Sequence, residues 1–120
     1  MADHNETGKI GEELAVSYLS DKGFIILHRN WVFGKLEVDI IASFKGKLHF
    51  IEVKTRHNLT FGYPEEGVSK RKVTNIMKAA DQYLNQHQEW EWAYIDILAI
   101  QITSAEIKYF FIEDVSIFLT

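Results

Sequence analysis

Between Lys35 and Arg56 the chain puts charged side chains inside two stretches that otherwise have the composition of β-strands. The first reads Lys35-Leu36-Glu37-Val38-Asp39-Ile40-Ile41-Ala42. The second reads Leu48-His49-Phe50-Ile51-Glu52-Val53-Lys54-Thr55-Arg56, with Ser43-Phe44-Lys45-Gly46-Lys47 between them. Two apolar, β-branched runs around a short glycine-containing connection predict a hairpin. Side chains alternate along a strand, so Glu37 shares a face with Asp39, and Glu52 shares one with Lys54. Pairing about Lys45-Gly46-Lys47 brings Asp39 and Glu52 together on one face. Three carboxylates and an amine at one end of a small sheet are costly to assemble unless something binds there.

The chemistry open to such a set is specific. Asp39 and Glu52 offer the oxygen ligands that hard divalent cations prefer, and Mg²⁺ typically takes one or two carboxylates together with water and phosphate oxygens. Lys54, two strand steps from Glu52, can orient or deprotonate an attacking water, or steady the charge that develops on a phosphorane. The set suits phosphodiester hydrolysis, in which positioning and charge neutralisation supply most of the acceleration. The bland alternative is a salt bridge of Glu52 with Lys54 beside Asp39. Buried pairs of that kind are poor sources of stability, although on a solvent-facing half of the sheet they would be ordinary.

The elements that must position these residues follow from periodicity. Ile10, Leu14, Tyr18 and the Ala15/Leu19 pair recur at helical spacing, predicting an amphipathic helix from Gly8 or Lys9 to about Asp21, after a frayed stretch at 1–7. Gly23 is a left-handed cap for it. Glu12 sits at the border of its apolar stripe, and matters only if the helix leans on the sheet near Asp39. A strand is expected from Phe24 through Trp31-Val32-Phe33, followed by strands at Lys35–Ser43 and Leu48–Arg56. His57 to Glu66 reads as a loop holding Phe61, Gly62, Tyr63 and Pro64. Ser69 should cap a second helix over Lys70–Asn85, with Val73, Ile76, Met77, Ala80 and Leu84 buried. Its first turn, Lys70-Arg71-Lys72, sets cations against the helix dipole, which suggests a compensating anion. Trp90–Ile102 and Ile107–Ile112 read as a hairpin pair, and Val115–Leu119 as a short last strand. Asp96 inside the first of these is read as a buried, hydrogen-bonded structural residue ahead of a catalytic one. Helix, three strands, helix, two strands describe an α/β fold: a mixed sheet flanked by helices, in one domain over 1–120.

Composition narrows the field further. With 120 residues, 47% of them apolar, the chain can bury a substantial core, and the absence of cysteine rules out disulfides and thiolate metal sites. No apolar run approaches a membrane span, and the polar start is no signal peptide, so a cytoplasmic protein without a membrane partner is expected. The net charge of −4 argues against a general polyanion binder, yet residues 43–78 carry +5 and the remainder −9. That asymmetry suits a negative partner touched over a limited surface.

These residues also form an ordered series that resembles a known family. Gly8, Gly11-Glu12, Ala15, Tyr18-Leu19, Gly23-Phe24, Arg29-Asn30, Glu37-Val38-Asp39-Ile40-Ile41-Ala42 and Phe50-Ile51-Glu52-Val53-Lys54-Thr55-Arg56 are followed by Phe61-Gly62, Lys70 or Lys72, Ala80, Tyr83-Leu84 and Asp96. Together they resemble the YraN family of bacterial proteins, and the Asp39…Glu52-Val53-Lys54 hairpin resembles the PD-(D/E)XK nuclease superfamily. The likeness spans roughly residues 8–100. Leu36 stands where that family has a glycine and Tyr94 where it has an arginine.

The resemblance implies a restriction-endonuclease-like core and a Mg²⁺- or Mn²⁺-dependent endonuclease acting on DNA, branched or flapped structures included. Asp39 and Glu52 would be metal ligands with Glu37 assisting, Lys54 the catalytic lysine, and Glu12 a further helix carboxylate, as in archaeal Holliday-junction resolvases. Arg56, Lys70 and Lys72 would hold flanking phosphates. Two other classes compete: a non-catalytic nucleic-acid-binding or adaptor module, and a structural domain docking a protein. For the last, the aromatic set Trp90, Trp92, Tyr109, Phe110, Phe111 and Phe118 reads as core, with a docking patch or a homodimer contact as the alternatives.

Overall fold

A computed structural model describes residues 2–57 and 69–115, residues 2–7 by their backbone alone. Its elements are α1 (Ala2–Asp21), β1 (Ile25–Phe33), β2 (Leu36–Phe44), β3 (Lys47–Arg56), α2 (Lys70–Gln86), β4 (Ala93–Ile102) and β5 (Ile107–Ile112). The order is the expected one. Helix α1 begins well before Gly8, and β4 begins at Ala93 rather than Trp90. The loop expected at His57–Glu66 and the strand expected at Val115–Leu119 fall almost wholly outside the described residues.

One five-stranded sheet runs β1-β2-β3-β4-β5. Neighbours are antiparallel except β3 and β4, which are parallel because α2 carries the chain across between them. The β2–β3 connection is tighter than a Lys-Gly-Lys tip. Phe44 pairs with Lys47, leaving Lys45 and Gly46 as a two-residue turn, both with positive φ (50° and 79°). Two left-handed residues give the turn a twist that matches the strands it joins.

The helices cover opposite faces. Against α1 lie Ile40, Ala42, Ile51, Leu98 and Ile100, packed on Ala15 and Leu19. Against α2 lie Ile41, Leu48, Phe50, Ile95 and Ile97, packed on Val73, Ile76, Ala79, Ala80 and Tyr83. Neighbours in sequence such as Phe50 and Ile51, or Ile97 and Leu98, thus serve different cores. Because β4 is covered on both sides, Ile95 to Ile100 are buried without interruption. Met77, expected inside, is exposed, and Tyr83 and Ala79 take the inner positions of α2 instead.

Both helix ends next to the sheet are set locally. After α1, the Phe24 N–H donates to the Leu19 carbonyl at 2.9 Å and Gly23 has φ 101°, the glycine-dependent cap that turns the chain into β1. Ahead of α2, Ser69 is extended and its hydroxyl accepts from the Lys72 N–H at 3.1 Å, a cap worth about 1 kcal/mol. Ser69 thereby fixes where the first turn of α2, and so Lys72, meets the sheet.

Candidate active site

The β2–β3 ladder stops at the Ile40–Ile51 pair. One step beyond come Asp39 and Glu52, and the regular alternation fails there. Ile40 packs with the α1 core and Val38 with the α2 core, although two residues apart they should share a face. Asp39 sits at that break and turns its carboxylate toward β3, where Oδ2 accepts the Val53 N–H at 2.8 Å. On β1 the facing residue, Asn30, is left-handed (φ 52°), a conformation asparagine tolerates better than most residues. The hairpin opens at Asp39, and a side-chain acceptor takes over the donor that the ladder abandons.

Glu52 completes the pair from β3. It is 4% exposed, and Asp39 is close enough for its charge to act on the Glu52 carboxyl. Burial pushes its carboxyl up from an ordinary 4.5 to about 8; the charge of Asp39 and the hydrogen bond with it add to the rise, and the Lys72 ammonium opposes it. The cation on Glu52 is therefore Lys72, with Nζ 3.3 Å from Oε1. The Glu52–Lys54 bridge entertained from the strand spacing does not form. The anion that the basic first turn of α2 calls for is supplied from within the chain.

Lys54 is half-buried and, among the described residues, has no ion-pair partner. It lines a cleft of about 280 Å³ with Gly8, Glu12, Asp39, Val53, Thr55 and Arg56. Glu12 reaches this cleft because α1 leans on β3. At Gly11 the helix passes so close to Thr55 that a Cβ built on the glycine would stand 2.1 Å from the Thr55 hydroxyl oxygen. Asn30 donates to Glu12 Oε2 at 3.3 Å. The neighbouring Glu13 is bound to Arg29 at 2.6 Å on the open surface, where an ion pair contributes little.

Of the residues singled out from sequence, then, Glu12, Asp39, Lys54 and Arg56 share one cleft, and Glu52 adjoins it through Asp39. Glu37 is exposed on the β1–β2 hairpin opposite Val32 and does not line the cleft. Lys70 opens α2 as an exposed residue, and Lys72 faces Glu52. Gly11, Asn30 and Thr55, which place Glu12, carry no charge signal that a reading for chemistry would notice. Among the described residues no three His, Asp or Glu side chains gather closely enough to hold an ion by themselves. Asp39 and Glu52 supply two carboxylates, a donor set that fits a hard cation whose remaining ligands are water and substrate oxygens.

Asp96 belongs to a separate cluster. It is wholly buried, its Oδ2 lies 2.6 Å from His49 Nδ1, and its Oδ1 accepts the Asp114 N–H at 2.8 Å. Tyr94 stacks on the same His49 ring and carries Lys47 over its face. These contacts tie β3, β4 and the turn after β5, in keeping with a structural Asp96. The aromatic set divides: Trp90 packs on the α2 core, Tyr109 and Phe111 on the α1 core, while Trp92 and Phe110 are exposed. Phe118 is outside the described residues.

Fold and cleft define an α/β protein with a carboxylate pair and a lysine gathered at the open end of a β-hairpin. The family model described as the uncharacterised protein family UPF0102 matches residues 11–102. Among similar proteins, a UPF0102 protein of Phocaeicola vulgatus is 52% identical over 86 residues, covering 72% of this chain and 71% of its own. One from Flavobacterium psychrophilum is 40% identical over 114 residues (95% and 96%), and one from Dictyoglomus thermophilum 41% over 104 (86% and 88%). The chain belongs to the UPF0102, or YraN, family.

Proposed function

We propose that this protein is a metal-dependent endonuclease of the PD-(D/E)XK type, hydrolysing phosphodiester bonds in DNA with Mg²⁺ or Mn²⁺. The supporting observation is the meeting of Asp39 and Glu52 where the hairpin opens, with Lys54 in the adjoining cleft. Asp39 and Glu52 would hold the cation, and Glu12 would serve as the helix carboxylate at the cleft's α1 wall. A bound divalent cation would supply charge neutralisation at the scissile phosphate. Lys54, with no ion-pair partner among the described residues, holds the attacking water and meets the negative charge that grows on the phosphate oxygens. Arg56 and Lys70 hold neighbouring phosphates, contacts that position the strand without reading its sequence.

The test is a Mg²⁺ titration on labelled linear, flapped and four-way-junction DNA with the wild type, Asp39→Ala and Lys54→Ala. Both substitutions should abolish cleavage while the chain stays folded by circular dichroism. Cleavage equal to wild type in both variants overturns the reading.

A second reading, a nucleic-acid-binding module without turnover, draws on the absence of a three-ligand cluster among the described residues. It requires binding that falls steeply with salt yet ignores EDTA.

A further inference from the structure

The ion pair between α2 and β3 has a consequence for cation binding. Lys72 lies in the first turn of α2, where no acidic residue offsets the helix dipole. Its backbone is held by Ser69, and its ammonium rests on Glu52 Oε1. Glu52 is nearly inaccessible, whereas the Lys72 side chain is 47% exposed. One partner is fixed and the other is free to swing into solvent. The ammonium sits on Oε1 alone and leaves Oε2 for a hard cation, but it sets a positive charge a few ångströms from that site, and the repulsion opposes binding.

We propose that Lys72 is a built-in counter-ion that competes with the divalent cation for Glu52, leaving the carboxylate as the cation arrives. The inference rests on the metal-dependent reading above. It assigns Lys72 a positioning role in place of the plain phosphate contact expected from its sequence. In the metal-free chain Lys72 is the cation beside the buried Glu52 carboxyl, and where that group ionises it keeps the charge partnered. In the loaded chain its ammonium is released to solvent.

The experiment measures Mn²⁺ binding to the full chain by the electron-paramagnetic-resonance signal of free Mn²⁺, for wild type, Lys72→Met, Lys72→Arg and Asp39→Asn. Lys72→Met should bind Mn²⁺ about tenfold more tightly than wild type, the size expected from removing one opposing charge at this range. Lys72→Arg should stay close to wild type, and Asp39→Asn should bind most weakly. In EDTA, Lys72→Met should melt below wild type, and saturating Mn²⁺ should close the gap. A readout independent of any variant is the Lys72 side-chain ¹⁵Nζ resonance of the wild-type chain, which should move to the position of a free lysine on adding Mg²⁺. Asp39-dependent Mn²⁺ binding that is equal or weaker in Lys72→Met, or an Nζ resonance that ignores Mg²⁺, overturns the exchange and leaves the metal site standing. Absence of Asp39-dependent binding in every chain overturns both.

Discussion

Glu52 shows how much one buried carboxyl decides. Because its folded pKa lies above the unfolded value, the native chain binds more protons than the unfolded one between about 4.5 and about 8. In that window stability falls as pH rises, since ionising Glu52 in place costs what burial and Asp39 impose. Melting in EDTA should therefore drop from pH 5 toward pH 8, and Glu52→Gln should flatten that slope. A wild-type profile as flat as that of the variant would mean that Glu52 is solvated. Lys54 makes the contrasting case. It has no ion-pair partner among the described residues, so Lys54→Met should leave the melting temperature within about 2 °C of wild type. DNA cleavage should meanwhile fall by about 10²-fold or more, the range usual for loss of a group that assists proton transfer. Asp39→Asn differs from both, because it keeps an acceptor for the Val53 N–H while removing the charge beside Glu52.

At the scale of elements, the site depends on how closely α1 approaches β3. Gly11 is the contact, and the atom that a methyl would meet belongs to Thr55, a β-branched side chain with little freedom to yield. Gly11→Ala should cost about 1–3 kcal/mol in urea unfolding and move Glu12 off the cleft. Adding Thr55→Ala removes the hydroxyl that the added methyl would meet and should recover much of that loss, a coupling that a double-mutant cycle reads directly. Additive losses would show that the two elements are not in register at this point. Order and type of the elements were legible from sequence, since apolar period, the Ser69 cap and Gly23 each act over a few residues. The break at Asp39 was not legible, because it arises from two strands parting and leaves no trace in either strand's own pattern. The partner of Lys72 was half-legible. Three cations at a helix start signalled a missing anion, but only the packing of α2 on β3 identifies it as Glu52.

The whole molecule separates a hydrogen-bonded end from the end that carries the candidate site. His49, Asp96 and the Asp114 N–H fasten three segments on the α1 face, whereas Asp39, Glu52 and Lys54 gather where β2 and β3 part. Removing one member of a buried, hydrogen-bonded pair costs about 3–5 kcal/mol, so Asp96→Ala should lower the melting temperature sharply while sparing the intrinsic activity of the folded fraction. Charge is also uneven along the chain, with residues 43–78 at +5 inside a chain of −4. On the nuclease reading, a duplex would meet attraction over a short stretch and repulsion from the acidic remainder, so only a few cations would displace counter-ions. A plot of log affinity against log salt should consequently have a shallow slope, about −2 to −4, set by contacts such as Arg56 and Lys70. Arg56→Ala and Lys70→Ala should each bring that slope about one unit nearer zero without changing preference among linear, flapped and four-way substrates. Since phosphate contacts carry no sequence or shape information by themselves, a variant that switches substrate preference at constant slope would relocate recognition to another part of the surface.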